Sequence, residues 1–168
     1  MAWQYHCFAP TDPWHVPSPE MSQQAISYIK ANVHSDVDFS EDELPGLVGN
    51  PWATRFAMKC PSCGNVSEEF DWVADAIETN WARLSEDRDA IRPVAPCCDA
   101  PVSIFDLTFP CPWADERPAQ PDWRLYEVAG FSRFAITLTN RDAPVEKDHL
   151  RAVEAIIGCP MKLIYYVL

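Results

Sequence analysis

The chain has 168 residues, a mass of 19.0 kDa and a net charge of −12, from 13 Lys and Arg against 25 Asp and Glu. A chain of this length suits one domain and buries roughly 70% of the surface its unfolded form exposes, so it needs neither metal nor disulfides merely to fold. Its 48% apolar content excludes wholesale disorder, and no apolar run approaches the ~20 residues of a membrane helix. The opening residues MAWQYHCFAPTDPWH contain no basic segment followed by an apolar one, so the expectation is a cytoplasmic protein without a secretory leader.

Trp3 to Phe8 alternates and reads as a first strand. After the Pro-rich turn, Ser18 as N-cap, Pro19 in the first turn and Glu20 at the positive end of the dipole predict a helix. Its apolar positions are Met21, Ala25, Tyr28, Ile29 and Val33, and it ends near residues 32–34. An acidic stretch, Ser35 to Glu43, and a Pro/Gly region, Pro45 to Pro51, read as a solvated connection. Thr54 to Lys59 reads as the second strand. Ser67 is placed to cap a second helix whose stripe is Phe70, Val73, Ile77, Trp81 and Leu84. Val102 to Phe109 reads as a strand, and four prolines between Pro110 and Pro121 mark a loop. Phe131 to Thr139 alternates, with Phe134, Ile136 and Leu138 on one face. Leu150, Val153 and Ile157 set a third helix, stopped by Gly158 and Pro160, and Lys162 to Leu168 reads as a strand covered on both faces.

The resulting order is strand, helix, strand, an inserted middle, then strand, helix, strand. It predicts an α+β, ferredoxin-like βαβ–βαβ domain with an inserted zinc-ribbon-like segment. The expected organisation is a single domain over residues 1–168: a first half 1–59, a metal-binding insertion 60–111 and a second half 122–168.

Seven cysteines, an odd number, argue against a disulfide framework. In Cys60-Pro61-Ser62-Cys63-Gly64 a tight turn lets two thiolates converge on one ion. Zinc takes four ligands, and Pro96-Cys97-Cys98-Asp99 supplies the second pair, provided that the chain turns sharply there. Cys111 is the alternative to one of the adjacent pair. Cys7 and Cys159 read as small core residues. A redox dithiol at Cys60 and Cys63 is the rival reading. It needs a helix N-terminus at the active cysteine, and it leaves the downstream pair without a role.

The strings WQYHC, CPxCG, PCC, GFxRFAIxLxN and GCPxKLIY resemble those of a family of small uncharacterised bacterial proteins with a paired-cysteine, zinc-ribbon-like motif. The resemblance covers most of the chain and implies a metal site at Cys60, Cys63, Cys97 and Cys98, but no activity.

Charge is unevenly spread. Residues 35–90 hold 13 acids against Arg55, Lys59, Arg83 and Arg88, a net −9. Such a field repels phosphate and attracts cations. Asp36, Asp38, Glu41, Asp42 and Glu43, with Asp71, Asp75 and Glu78 on the polar side of the second helix, are therefore the candidate face for a cationic protein partner. No HExxH, GxSxG, P-loop or GxGxxG is present, and His149 reads as a solvated helix residue. The expected function is a non-enzymatic acidic protein-binding module with structural Zn2+, in one form an immunity- or antitoxin-type inhibitor of a basic bacterial effector. The alternatives are a zinc-ribbon module associated with nucleic acid or transcription, and a thiol redox protein. The charge yields one negative prediction: mobility-shift assays at physiological salt should detect no DNA or RNA binding tighter than the non-specific range of roughly 10⁻⁴ to 10⁻⁶ M, and sub-micromolar binding would overturn it.

Overall fold

The structure is a computed structural model that describes residues 2–52 and 55–168. The alternating N-terminal segment forms β1 (Gln4–Pro10), and α1 (Pro19–Asn32) starts where the capping signals put it: Ser18 Oγ accepts the Met21 N–H at 3.3 Å and Pro19 sits in the first turn. Two further long strands are β2 (Val37–Gly49) and β8 (Ala129–Thr139). The remaining elements are β3 (Met58–Lys59), β4 (Val66–Ser67), α2 (Asp71–Asn80), β5 (Val94–Ala95), β6 (Ala100–Pro101), β7 (Tyr126–Glu127), α3 (Lys147–Ile157) and β9 (Met161–Val167). Gly158 ends α3 at φ +79°, a left-handed cap that costs glycine nothing, and its N–H donates to the Glu154 carbonyl at 2.8 Å.

The chain is mixed α+β. Its main sheet has the order β2-β8-β1-β9-β7, antiparallel throughout except for β7 beside β9. Phe8 stands opposite both Ile136 and Leu163, so one face of three strands presents a continuous apolar surface. Ala25 and Ile29 of α1, and Val153 and Ile157 of α3, are buried in the same cluster as this face. The two helices pack on each other, and Tyr28 Oη lies 2.9 Å from His149 Nδ1. His149 is therefore half-buried at a helix–helix contact rather than solvated. Cys7, Ala9 and Ile164 form a second, small cluster with Val48 and Tyr166.

Four expectations about elements are corrected. Thr54 lies outside the described residues, and Met58–Lys59 is a two-residue strand paired with β4 rather than a strand of the main sheet. The second long strand is instead the acidic segment, as β2. Strand propensity disfavours Asp and Glu, but an edge strand with solvent beside it tolerates them. Between Glu41 and Gly46 it advances five residues while β8 advances two. This irregularity houses Pro45, which has no N–H to pair, and Arg133 of β8 pins it by donating Nε–H to the Asp42 carbonyl at 2.9 Å. Ser67 is not the cap of α2. Its Oγ accepts the Glu69 N–H at 3.0 Å inside the preceding turn, and Phe70 stands at the helix start. Val102 to Phe109 is largely buried but not a strand: it holds a 3₁₀ turn at Ile104–Asp106, capped by Ser103, bridges β3 at Lys59–Thr108, and reaches β7 where the Phe109 N–H donates to Glu127 Oε2 at 3.1 Å.

The apolar stripe of α2 behaves as read, with Phe70, Val73 and Leu84 buried, although it passes into a 3₁₀ turn over Trp81–Ser85. Trp113 and Trp123 of the Pro-rich region are buried anchors, whereas Trp52 is exposed. Trp123 packs with Tyr126 and Tyr165 around His6.

His6 is fully buried on β1 and lies 2.8 Å from both the Arg141 carbonyl and Tyr126 Oη. A carbonyl only accepts, so Nε2 carries the proton. Nδ1 then accepts the Tyr126 hydroxyl, whose oxygen accepts the Val145 N–H at 2.8 Å. The relay ties β1, β7 and the lead-in to α3 together and requires neutral imidazole. Burial pushes the His6 pKa from 6.5 down to about 4. Because the folded value is the lower one, His6 stabilises the fold above pH 6.5 and loses that contribution as pH falls towards 4, by at most ~1.4 kcal/mol per unit. Ring-nitrogen NMR should find an Nε2–H tautomer that persists at pH 5.5, and a midpoint between 6 and 7 would overturn the relay. Tyr126→Phe leaves Nδ1 unpaired and should cost ~1–3 kcal/mol in denaturant unfolding.

Candidate metal centre

Between β2 and β7 the chain makes two short hairpins, and each presents a cysteine pair from its turn. In the first, β3 and β4 flank Cys60–Asn65. The turn is closed by Cys60 N–H donating to the Asn65 carbonyl and Gly64 N–H donating to the Cys60 carbonyl, both at 2.9 Å. Gly64 has φ +74°, a conformation that a residue without Cβ adopts freely. In the second, β5 and β6 flank Pro96–Asp99, and the N–H groups of Cys98 and Asp99 both donate to the Ala95 carbonyl, at 3.2 and 2.9 Å. Asp99 takes the left-handed position at φ +55°. That is the sharp turn which adjacent cysteines require if both side chains are to face one point, and Asp is among the few residues that tolerate it.

The two turns meet. Sγ of Cys60 lies 3.9 Å from Sγ of Cys98, Sγ of Cys63 lies 3.4 Å from Sγ of Cys97, and all four sulfurs fall within 4.8 Å of one another. Four sulfurs ~2.3 Å from a central ion would stand ~3.8 Å apart, so the observed spacing fits tetrahedral coordination. The four cysteines could hold a metal ion. Cys60 is buried and belongs to the main apolar cluster, Cys98 packs against that cluster, and Cys63 and Cys97 are exposed. The centre thus has one wall in the core and one open to solvent.

Two of the four thiols are shifted in opposite directions. The backbone N–H groups of Cys63 and Ser62 lower the Cys60 pKa from 9.0 to about 7. Cys97 is pushed up to about 12, chiefly because its thiol is hydrogen-bonded to Cys63 and further because neighbouring sulfurs oppose a second negative charge. Cys60 ionises readily and Cys97 resists, a conflict that a bound divalent ion would remove. The pull on Cys60 comes from its own turn and not from a helix: α2 begins only at Asp71, beyond β4.

Cys111 stands outside the cluster. It is buried, and burial raises its pKa to about 11. Cys7 is fully buried 3.4 Å from Thr137 Oγ1, and burial likewise raises its pKa to about 11. Cys159 is half-buried.

The eight acidic candidates are all exposed. Asp38, Glu41, Asp42 and Glu43 lie on β2 at the sheet edge, with Asp36 just before it, and Asp71, Asp75 and Glu78 lie on α2. Asp38 also serves the edge itself, since its Oδ1 accepts the Phe39 N–H at 2.8 Å. Near the end of α2, Trp81 shares a surface depression with Asp42 and Glu43, so that end of the helix and the β2 irregularity are neighbours. Sequence reading overlooked Asp99, whose signal was a turn-tolerant residue directly after a cysteine pair. It also overlooked Trp72, which lines a cavity beside Cys60 and Cys97.

Compared with protein-family models, with curated proteins and with solved structures, the chain matches none. Among the described residues no helix is long and apolar enough to cross a membrane.

The second turn can be tested through its backbone. Asp99→Gly relieves the left-handed residue and should leave thermal stability equal or higher by up to ~1 kcal/mol. Asp99→Val should lose ~1–2 kcal/mol, because a β-branched side chain resists positive φ. Equal melting temperatures for the two variants would show that this turn is not under the constraint described.

Proposed function

We propose that this protein is a non-enzymatic, acidic protein-binding module built on a ferredoxin-like βαβ–βαβ framework, into which a zinc-ribbon-like segment is inserted. The framework reading is supported by the run β2-β8-β1-β9, in which α1 connects β1 to β2 and α3 connects β8 to β9. The observation that carries the zinc reading is the mutual spacing of the four sulfurs, all within 4.8 Å and drawn from two hairpin turns. Four thiolates complete the shell of Zn2+ and leave no open position for a substrate, so the ion is structural and staples the two hairpins. A cytoplasmic location suits the chemistry, since reducing conditions keep thiols available to metal.

The partner in this reading is a cationic protein, met through Asp36, Asp38, Glu41, Asp42 and Glu43 and through Asp71, Asp75 and Glu78. In its most concrete form the module inhibits a basic bacterial effector. Support comes from exposure and charge: among the described residues none of these eight carboxylates has an ion-pair partner, and the segment they dominate carries a net −9. Attraction of this kind mainly accelerates encounter and weakens with salt.

Elemental analysis of protein purified without chelator should find about one zinc per chain. Serine at Cys60, Cys63, Cys97 or Cys98 should abolish retention and lower the melting temperature. Cys7→Ser and Cys111→Ser should keep the metal. Protein free of metal, or loss of metal in the Cys111 variant, overturns the assignment.

A further inference from the structure

Beside the thiol cluster lies a half-open cavity of about 260 Å³. It is smaller than the roughly 300–1,000 Å³ of a small-molecule site and has room for about one side chain. Sulfur-bearing Cys60 and Cys97 form part of its wall, the indole of Trp72 another, and Asn65, Ser67 and Glu69 add polar groups. These parts are held in place before anything binds. The Trp72 indole N–H donates to the Glu69 carbonyl at 3.1 Å, and Ser67 Oγ accepts the Glu69 N–H at 3.0 Å, so ring and turn are locked together.

The carboxylate and the thiol wall of this cavity favour a cation. The Glu69 side chain is exposed and, among the described residues, has no ion-pair partner. No guanidinium of the chain covers Trp72 among those residues, although Arg88 lies over Trp14 at 4.7 Å and Arg117 over Trp123 at 5.3 Å. Lys59, next to Cys60 in sequence, is not part of the lining. A Zn2+ ion held by four thiolates leaves the centre with a net charge of about −2. An aromatic face, a free carboxylate and a doubly negative centre around one small space call for a flat, weakly hydrated cation that stacks and donates several hydrogen bonds. Guanidinium has these properties, and an ammonium ion lacks the plane and the fork.

We infer that the cavity flanked by Cys60, Cys97, Trp72 and Glu69 receives an arginine side chain of a basic protein partner, the guanidinium lying on the Trp72 ring and pairing with Glu69. The inference rests on the zinc and cationic-partner reading above, and it names the point on the surface where recognition is specific rather than diffuse. A preorganised site of this kind spends little of its binding free energy on ordering.

The test is a ¹⁵N–¹H NMR titration of the full chain, its zinc content first measured, with N-acetyl-L-arginine amide and, separately, with the uncharged isostere N-acetyl-L-citrulline amide and with N-acetyl-L-lysine amide. The arginine compound should produce saturable shifts at the Trp72 indole N–H and the Ser67 and Glu69 amides. The citrulline compound should bind roughly tenfold more weakly, and Glu69→Gln should weaken the arginine compound several-fold, since a charge-assisted pair becomes a neutral one. Equal response to citrulline or lysine, or shifts confined to residues 36–43, in protein that does hold one zinc overturns this inference and leaves the zinc reading standing. Protein without metal overturns the zinc reading and, with it, the negative centre that the inference requires.

Discussion

A strand buried in the middle of a sheet must find partners for its backbone on both sides, because an N–H or C=O removed from water without a partner costs more than most side-chain preferences can supply. Much of this architecture follows from that demand on β8. Eight of its eleven residues are buried. β1 satisfies one side, and the other side recruits residues 37–49, an acidic segment interrupted by Pro45 and Gly46. The segment complies by kinking at the irregularity and turning its carboxylates to solvent. Arg133, left opposite the excess residues, holds the kink by a bond to the Asp42 carbonyl.

The same accounting gives part of the acidity a structural task. An exposed strand edge is a template for unwanted pairing, and charged side chains along it are a recognised defence. Asp38 goes further and occupies the Phe39 N–H. Phe39 is 49% exposed, its ring 6.3 Å from that of Phe134, so the edge also carries a half-covered apolar group among its acidic residues. Edge protection would be compatible with the proposed attraction of a cationic partner by the same charges.

The excursion between β2 and β7 solves a different problem. Its strands are two residues long, too short to be stable as isolated hairpins. They are anchored from beneath, where Cys60, Phe70, Val73, Leu84, Ile91 and Ile104 join the apolar cluster of the main sheet. They also meet at the four sulfurs above. Core and cysteines therefore share the work of ordering this region. A metal bound there would tighten a surface that packing alone leaves resting on very little secondary structure.

Where local chemistry decides structure, the sequence was sufficient. Ser18 with Pro19 started α1, Gly158 ended α3, the alternation through Phe134, Ile136 and Leu138 made a strand with one face inward, and Cys60 to Gly64 formed a tight turn carrying a cysteine pair. Each rests on interactions within a few residues. Pairing partners are not local. Nothing in residues 37–49 announces a strand, since its composition argues for a loop and only the unpaired side of β8 overrides that. Nothing in residues 102–109 forbids one, yet among the described residues its backbone meets strands only at isolated points, the Lys59–Thr108 bridge and the end of the segment beside β7. The convergence of Cys97 and Cys98 on Cys60 and Cys63, the exclusion of Cys111, and the cavity walled by Trp72 and Glu69 likewise depend on how distant segments dock. A short window of sequence determines backbone preference and side-chain chemistry, but which groups end up a few ångströms apart is decided by the burial and backbone pairing of the whole chain.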